Sequence, residues 1–392
     1  MPTRAYELAR PSFTEWRATF FGPVGVSVRE SADAAYRALA EAARAAGVEF
    51  FQEKTYCAAG TRDELGDARR RALESAGLDA STPWAFLRGR EDVGPGEDAR
   101  AVCVQLWGIT RRAPGVRLTT VEAGRHRGRL LESAEVRMCW LGQVDGSDDA
   151  GALPLGVGAQ TTAMLGRAER ALDALGFTFR DVARTWIYVR ELLADYRELN
   201  AARTAFYAAR GIGRGPDATP FPASTGIQGR AAREDCVMDL LAVRASGEAR
   251  VTPLDQSGRQ GPAFAYGSSF SRAMSVDVEG RQTLFVSGTS SIGPDGSTLY
   301  PHDAERQSVE MLLGIAALLE PLGAALRDVA AGTLFTRDAP ALAAFERVAR
   351  ALCLPALPLA RVRADVCRPD LTVEIEAVVH APILSTKGGA RE

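Results

Sequence analysis

Lysine, histidine and paired cysteines are scarce in this sequence of 392 residues. Lysine occurs only at Lys54 and Lys387, and the six cysteines are scattered without a CxxC pair. This spacing favours neither a disulfide framework nor a zinc site. The three histidines, His126, His302 and His380, are too far apart to supply a pair of metal ligands from one helix turn. The sequence therefore predicts no metal site.

Long apolar runs are also absent, and no signal-like segment opens the chain. The 47 basic and 49 acidic side chains nearly cancel, so no overall field favours nucleic acid or an anionic membrane as a partner. We therefore expect a cytoplasmic protein in which any recognition of an anion is local. Its length allows two or three units with their own cores.

An internal repeat is the strongest pattern in the sequence. Residues 169–190 read ERALDALGFTFRDVARTWIYVR, and residues 316–337 read AALLEPLGAALRDVAAGTLFTR. In both segments an apolar helix ends with Leu-Gly, where glycine suits the left-handed C-terminal position of a helix. The same Arg-Asp-Val-Ala run and a short β-like run follow. Each copy then continues through a second helix and a proline-containing loop to a closing strand, at 236–243 and 372–379.

A weaker third copy precedes these two. It consists of an alanine-rich helix at 33–46, a strand at 50–58, a second helix at 63–76 and a closing strand at 101–109. We therefore predict three related units in one chain, with boundaries at 1–130, 131–250 and 251–392.

The element order, with SGTSSIGPDG at 287–296 and LARVRADVCRPDLTVEIEAVV at 359–379, resembles the reactive-intermediate deaminase (YjgF-like) family. This resemblance implies an α+β fold of tandem units, each a mixed sheet packed on two helices. In that family the units form trimers with clefts between them, so one chain with three units implies an intrachain pseudo-trimer, as a monomer or within a homo-oligomer. The family's cleft arginine and glutamate match Arg361 and Glu374.

A closer resemblance is to the chorismatases, which carry divergent copies of this unit and remove pyruvate from chorismate. It rests on five stretches: ARTWIYV at 183–189, FPASTGI at 221–227, YGSSFSRA at 266–273, LFVSGTSS at 284–291 and DVCRPDLTVEIE at 365–376. The chain departs from the chorismatase pattern at Ile187, where an asparagine is usual, and at Gly293 and Pro294, where a Gly-His pair is usual. The first 130 residues show no match to a typical chorismatase.

Comparison of the three copies singles out Glu374. The second copy places Met238 at this position and the first about Gln105, whereas Arg361 is replaced by about Ser224 and about Leu87. This predicts one working site per chain, in the third unit. A carboxyl group removed from water on a half-buried strand favours its acid form, which suits a general acid, although a simple ion pair with an arginine is the alternative.

The remaining candidate residues follow from the needs of a dicarboxylate substrate. Two carboxylates require at least two cations, and arginine binds them in bidentate fashion. Tyrosine hydroxyls can donate further hydrogen bonds. A glycine and a cysteine at two positions resemble the chorismatase subgroup that makes hydroxybenzoates. The candidates for substrate binding are Arg184, Arg272, Arg347, Arg361, Tyr188, Tyr266 and Gly288, and Cys367 joins Glu374 in the catalytic set.

The leading hypothesis is a cofactor-independent chorismatase-like enzyme in which Glu374 protonates the enolpyruvyl group and pyruvate leaves, giving a hydroxybenzoate for secondary metabolism. One alternative is an imine or enamine deaminase in which Arg361 holds the substrate carboxylate. Another is a non-catalytic protein that binds a small carboxylate.

Overall fold

The computed structural model describes residues 5–90 and 101–382. They form three sheets with two helices each, taken in chain order. The first unit contains β1 (Tyr6–Ala9), β2 (Phe13–Phe21), α1 (Val28–Ala46), β3 (Glu49–Tyr56), α2 (Arg62–Ser75), β4 (Ala85–Leu87) and β5 (Cys103–Arg111).

The second unit contains β6 (Arg117–Ala123), β7 (His126–Glu132), β8 (Val136–Asp145), α3 (Val157–Ala174), β9 (Val182–Val189), α4 (Leu192–Ala208), β10 (Ala223–Gln228) and β11 (Cys236–Ala245). The third unit contains β12 (Arg250–Leu254), β13 (Ala273–Val278), β14 (Arg281–Thr289), α5 (Ala304–Leu319), β15 (Val329–Thr336), α6 (Ala339–Ala351), β16 (Leu359–Arg363) and β17 (Val373–Pro382). Short 3₁₀ turns precede β9, β13 and β15.

The three sheets share one strand pattern. Their orders are β1-β2-β5-β3-β4, β10-β9-β11-β8-β7-β6 and β12-β13-β14-β17-β15-β16. In each, the closing strand (β5, β11 or β17) lies in the middle, antiparallel to the strand between the helices, and the short strand before it pairs parallel at an edge. The expected α+β fold of tandem units, each a mixed sheet on two helices, is confirmed.

The second sheet begins before residue 130. Residues 117–132 form β6 and β7, which pair with β8 of the second sheet. Residues 117–130, which the predicted boundary puts in the first unit, thus pair in the second sheet. The division of the chain into units at 130 and 250 stays a prediction.

Local sequence explains where the helices begin and end. Ser27 and Glu30 cap the first turn of α1 reciprocally, and Asp303 and Asp338 each accept a backbone hydrogen bond at the start of α5 and α6. The two Leu-Gly steps of the repeat take the predicted left-handed conformation, with φ of 73° at Gly176 and 67° at Gly323.

Each sheet has one face against its own helices and the other face toward the two neighbouring sheets. Separate apolar clusters fill the helix-facing sides. A single larger cluster, including Trp107, Trp140, Tyr188 and Phe285, fills the common interior. The chain therefore buries residues on both faces of each sheet, and the three units pack around a pseudo-threefold axis.

Buried ion pairs join the units in this interior. Lys54 of the first unit lies 3.3 Å from Asp239 of the second, and Arg184 of the second lies 2.8 Å from Glu376 of the third. Arg10 pairs with Glu15 and also donates to the carbonyl of Val278 in the third unit. Such pairs fix how the sheets dock, because each charge loses its partner if the units separate. Among the described residues, no helix is long and apolar enough to cross a membrane.

Candidate active site

Glu374 lies on β17 at the boundary between the second and third units. Its backbone is opposite Phe335 of β15, and strand alternation places Glu374 and Glu376 on the face away from the helices. Only 4% of Glu374 is exposed. Across from it run β14 of its own unit and β10 of the second unit, which are joined where Ser224 N donates to Ser287 Oγ at 2.8 Å. We call this boundary the Glu374 cleft and define it by Glu374, Gly288 and Thr225.

Gly288 makes room for the Glu374 carboxyl group. A Cβ atom at position 288 would lie 2.2 Å from Glu374 Oε1 and 3.3 Å from the Thr225 methyl group. The Gly288 amide also donates to Thr225 Oγ1 at 3.1 Å. Only glycine allows the carboxyl group to occupy this space.

Burial holds the Glu374 carboxyl group in its acid form near neutral pH. Loss of solvent and then the neighbouring Glu376 charge raise its pKa to about 8, although Arg184 opposes the shift. Within residues 5–90 and 101–382, no donor forms a hydrogen bond to this carboxyl group. Glu374 can therefore give a proton to a bound substrate at neutral pH.

Glu376, two residues away, has a different environment. Its two oxygens accept hydrogen bonds from Arg184 Nη2 at 2.8 Å, Thr225 Oγ1 at 2.6 Å and Thr333 Oγ1 at 3.0 Å. Arg184 is thus committed to Glu376 through one nitrogen, whereas its buried Nη1 has no hydrogen-bond partner among the described residues. Glu376 therefore accepts hydrogen bonds from three donors, whereas Glu374, whose pKa is raised, accepts none from the described residues.

Cys367 borders the same cleft as a neutral thiol. Burial, and then the charge of Glu374, raises its pKa to about 12, while a hydrogen bond with Tyr196 acts in the opposite direction. A thiol that stays protonated is a poor nucleophile. The geometry therefore fits Cys367 as a cavity wall rather than as an attacking group.

Arg272 and Tyr266 lie together on the segment before β13. The Arg272 guanidinium is 5.5 Å from the centre of the Tyr266 ring, and its Nη2 donates to the Gly261 carbonyl at 2.9 Å. Arg368, next to Cys367, lies 5.6 Å from the same ring. Tyr266 thus links the segment before β13 to the loop before β17, which supplies Cys367.

Three predicted binding residues lie elsewhere. Leu334 of β15 stands opposite both Arg361 and Ile375, so these side chains share one face of the sheet, whereas Glu374 is one residue further along and points to the other face. Arg361 instead pairs with Glu346 of α6 at 2.7 Å. Arg347 is half-exposed and pairs with Glu305 at 2.6 Å. Tyr188 is buried on the axis, 3.3 Å from Lys54 Nζ. The expected shared cleft of Arg361 and Glu374 is not formed.

Strand pairing also corrects the comparison of the copies. Phe335, Tyr188 and Tyr56 stand opposite Glu374, Val237 and Cys103, respectively. The equivalents of Glu374 are therefore Val237 and Cys103 instead of Met238 and Gln105, and the same registers make Gly226 and Phe86 the equivalents of Arg361. Bulges in these strands shift any count made along the sequence. Both charged residues remain particular to the third unit.

Two residues of α4 were not among the candidates that sequence analysis selected. Tyr196 packs 3.6 Å from the Cβ position of Gly226. Arg203 is buried, and it donates from Nη2 to Asn200 Oδ1 at 2.6 Å and from Nη1 to Ser224 Oγ at 3.3 Å. The Arg203 Nε has no partner among the described residues. A signal was available, because positions 196, 199, 203 and 206 lie on one helix face, which Leu199 and Phe206 mark as buried. In the described part of the chain, no three His, Cys, Asp or Glu side chains are placed to hold a metal ion.

Comparisons with known proteins agree with this fold. The sequence profile of the family described as "Endoribonuclease L-PSP" matches residues 263–381, within the third unit. A "3-hydroxybenzoate synthase" of Streptomyces hygroscopicus is 28% identical over 232 residues, 52% of this chain and 64% of that protein, which is less than two thirds of its length.

A solved structure described as "Chorismatase" matches along 95% of this chain and 99% of its own, with a TM-score of 0.60 and 18% identity. At this identity the likeness is one of fold, and its 95% coverage takes in most of the first 130 residues, for which sequence analysis found no match to a typical chorismatase. The predicted resemblance to chorismatases and to YjgF-like proteins is confirmed as a similarity of sequence and of fold.

Proposed function

We propose that this protein is a chorismatase-like enzyme that converts chorismate by removing its enolpyruvyl group as pyruvate. The observation that carries the proposal is the buried Glu374, whose pKa of about 8 keeps it protonated at neutral pH beside a glycine that leaves it room. The fold of a chorismatase and the partial match to a 3-hydroxybenzoate synthase support the choice of substrate.

Protonation of the enol ether is the first step. The Glu374 proton passes to the terminal methylene carbon, which becomes a methyl group, and the electron pair of the double bond forms the new C–H bond. The adjacent carbon becomes an oxocarbenium centre. A nearby carboxylate stabilises that positive charge, and both the ionised Glu374 and Glu376 are available for this purpose.

The substrate carboxylates need cationic partners. Arg272 and Arg368 flank Tyr266 at one side of the cleft, and Arg203 and Arg184 each keep one buried nitrogen without a partner among the described residues. These donors suit a dicarboxylate better than a monocarboxylate, because an arginine left without its anion would be buried at a cost.

We propose a hydroxybenzoate as the product. A ring hydroxyl of the substrate bonds to the oxocarbenium carbon and gives its proton to the ionised Glu374. The bond between the ring and that hydroxyl oxygen then breaks, so this oxygen leaves as the ketone oxygen of pyruvate, while the enolpyruvyl oxygen stays on the ring. The ring carbon that bears the remaining oxygen loses its hydrogen as a proton, the remaining oxygen gains one, and the ring becomes aromatic. The two products together contain the atoms of chorismate, so no added water is consumed. The choice of product rests on Gly288 and Cys367, the two positions at which the chain resembles the hydroxybenzoate-forming chorismatases.

The deaminase alternative depends on Arg361 and Glu374 acting on one substrate. The two side chains point to opposite faces of the third sheet, so no observation favours that reaction here.

The test is turnover of chorismate, followed by loss of its ultraviolet absorbance and by release of pyruvate, with the ring product identified by chromatography. We expect Glu374→Gln to lower kcat by about 10²- to 10⁴-fold, because it removes the proton donor. Glu122→Gln is the matched control, since Glu122 is 70% exposed and pairs only with Arg127 on the surface. Absence of turnover in the wild-type protein, or equal rates in the wild type and Glu374→Gln, would refute the proposal. A dihydroxydiene product would refute only the hydroxybenzoate step.

A further inference from the structure

A small cavity lies where strands of all three sheets meet. Its volume is about 40 Å³. About 10–15 Å³ of such space holds one water molecule, whereas sites for drug-sized ligands measure about 300–1,000 Å³. This cavity therefore has room for a small ion but not for an organic substrate. We call it the axial cavity and define it by the lining residues Arg17, Gln52, Lys54, Trp107, Arg184 and Glu376.

Two side-chain nitrogens on the wall of the axial cavity have no acceptor. Trp107 Nε1 and Gln52 Nε2 are buried and form no hydrogen bond with any described residue. The two side chains are only 2% and 8% exposed, so bulk water does not serve them. Buried polar groups in folded proteins nearly always have a partner, because each gave up its bond to water on folding. These two donors therefore indicate an acceptor bound in the cavity.

The same wall carries more positive than negative charge. Arg17 lies 3.2 Å from Glu15, but Arg10 pairs with that carboxylate at 2.5 Å, so two arginines share one acid. Lys54 has Asp239 as its own partner at 3.3 Å. Three buried cations thus face two carboxylates in this group. A buried charge without a counterion is costly, so the excess positive charge favours a bound anion.

Lys54 keeps its charge at neutral pH. Burial lowers its pKa to about 8, while Asp239 and Glu376 act in the opposite direction. Its Nζ lies 3.6 Å from the centre of the Trp186 ring and donates to Tyr188 Oη at 3.3 Å. These neighbours hold the ammonium group in a fixed position at the cavity.

An anion suits this wall better than a water molecule does. A water molecule needs acceptors for its own two hydrogens, whereas a halide ion only accepts. Glu376 is the one carboxylate among the described lining residues, and it already accepts three hydrogen bonds. Gln105 Oε1, also on the wall, accepts from Tyr56 Oη at 3.4 Å. The side-chain oxygens of these two residues are therefore already in use.

We propose that the axial cavity binds one small inorganic anion of the halide class, held by Arg17, Lys54 and the N–H groups of Gln52 and Trp107. These four residues all belong to the first sheet. The opposite wall includes Arg184 of the second sheet and Glu376 of the third, which pair with each other. The anion thus helps the first sheet to dock on the other two, and it stabilises the folded chain by mass action.

The first test is a crystal structure of the whole chain soaked in sodium bromide, with anomalous data collected at the bromine absorption edge. We expect an anomalous peak in the axial cavity, within hydrogen-bonding distance of Trp107 Nε1. A cavity that contains only water density, with bromide confined to the protein surface, would overturn the proposal.

The second test compares thermal unfolding in sodium bromide and in sodium gluconate at equal concentration, because the gluconate anion is too large for the cavity. The measured quantity is the midpoint in bromide minus the midpoint in gluconate. Gln52→Glu places a carboxylate on the wall, so the protein supplies the anion itself. We expect the difference for the wild type to exceed that for Gln52→Glu by about 1–3 °C. Gln256→Glu is the matched control, since it makes the same change on an exposed side chain and should behave like the wild type.

Trp107→Phe provides a second variant in case Gln52→Glu does not fold. It keeps an aromatic ring beside Phe51 and Arg17 but removes the N–H donor. We expect the bromide concentration at half of the midpoint shift to rise about tenfold or more, because a hydrogen bond to a charged partner is lost. The same half-saturating concentration in Trp107→Phe and the wild type, or the same shift in Gln52→Glu and Gln256→Glu, would refute the anion site. Neither test measures turnover of chorismate, so their outcome is separate from the proposed function.

Discussion

The Glu374 cleft has a counterpart between the first and third units, built from the same strand positions but with different side chains. In the first, Glu374 lies beside Gly288 and Thr225. In the counterpart, which we call the Arg361 cleft, Arg361 and Cys103 line the same cavity. A homotrimer repeats one interface three times, so any change at a cleft appears in all three. One chain with three units is free of that constraint, and here each interface has become different.

The comparison also shows how buried charge depends on its surroundings. Glu376 and Glu374 are two residues apart on one face of β17, but only Glu376 receives donors, from Arg184, Thr225 and Thr333. Glu374 has burial and a like charge as neighbours, and its pKa rises to about 8. The Arg361–Glu346 ion pair of the third unit is half-exposed, so solvent weakens the attraction between its charges.

The largest effect on the free energy of unfolding should come from breaking the buried Arg184–Glu376 ion pair next to Glu374. Arg184→Met leaves Glu376 as an uncompensated buried charge and should lower the free energy of unfolding by about 3–5 kcal/mol, measured by urea denaturation. Arg361→Met, which breaks the exposed pair of the other cleft, should cost about 0–1 kcal/mol. Similar losses in the two variants would contradict the contrast drawn between the clefts.

The next effect tests the close approach at Gly288. Gly288→Ala places a Cβ atom 2.2 Å from Glu374 Oε1 and must displace the carboxyl group. We expect kcat/KM for chorismate to fall about 10- to 100-fold, since a misplacement of about 1 Å has effects of that order. Gly115→Ala is the control, because no atom lies within 4 Å of the added Cβ. An unaltered rate in Gly288→Ala would show that the carboxyl group does not need this position.

The pH dependence of turnover and of stability should reflect the raised pKa of Glu374. Turnover should fall about tenfold per pH unit above about pH 8, because the carboxyl group ionises and loses its proton. For stability, the folded state keeps a proton up to about pH 8 that the unfolded state releases near its ordinary pKa of 4.5. The contribution of Glu374 to the free energy of unfolding therefore decreases as the pH rises from about 4.5 to about 8 and is constant above about pH 8.

Glu374→Gln removes that ionisation. The difference in free energy of unfolding between the wild type and this variant should therefore change with pH from about pH 5 to about pH 8 and then level off, in denaturant titrations at each pH. A difference independent of pH would show that Glu374 titrates normally.

The smallest effects are expected from the arginines outside the Glu374 cleft. Arg361→Met and Arg347→Met should each change kcat/KM for chorismate by less than about twofold, since surface substitutions away from a site usually cost under about 0.5 kcal/mol. Steady-state kinetics provides the measurement. A large loss in Arg361→Met would mean that the two clefts communicate or that Arg361 reaches the substrate after all.

Several features of the fold followed from the sequence. The repeated Arg-Asp-Val-Ala run and the Leu-Gly steps predicted the succession of helices and strands along the second and third units, because helix ends and β-like runs are local patterns. The first unit was recognisable only in outline. Residues 117–130 fall within the first predicted unit but pair in the second sheet, since a strand can pair with either neighbour and the sequence does not state which.

The sequence by itself determined that only the third copy carries a glutamate and an arginine at the two cleft positions, and it singled out Glu374, Gly288 and Cys367, which the structure brings together. Tertiary structure alone decided that Arg361 belongs to another cleft. The reason is geometric: neighbouring positions on adjacent strands point to opposite faces, and bulges shift the register by one residue. Only the packing of three sheets around one axis determines which strand of one unit meets which edge of the next.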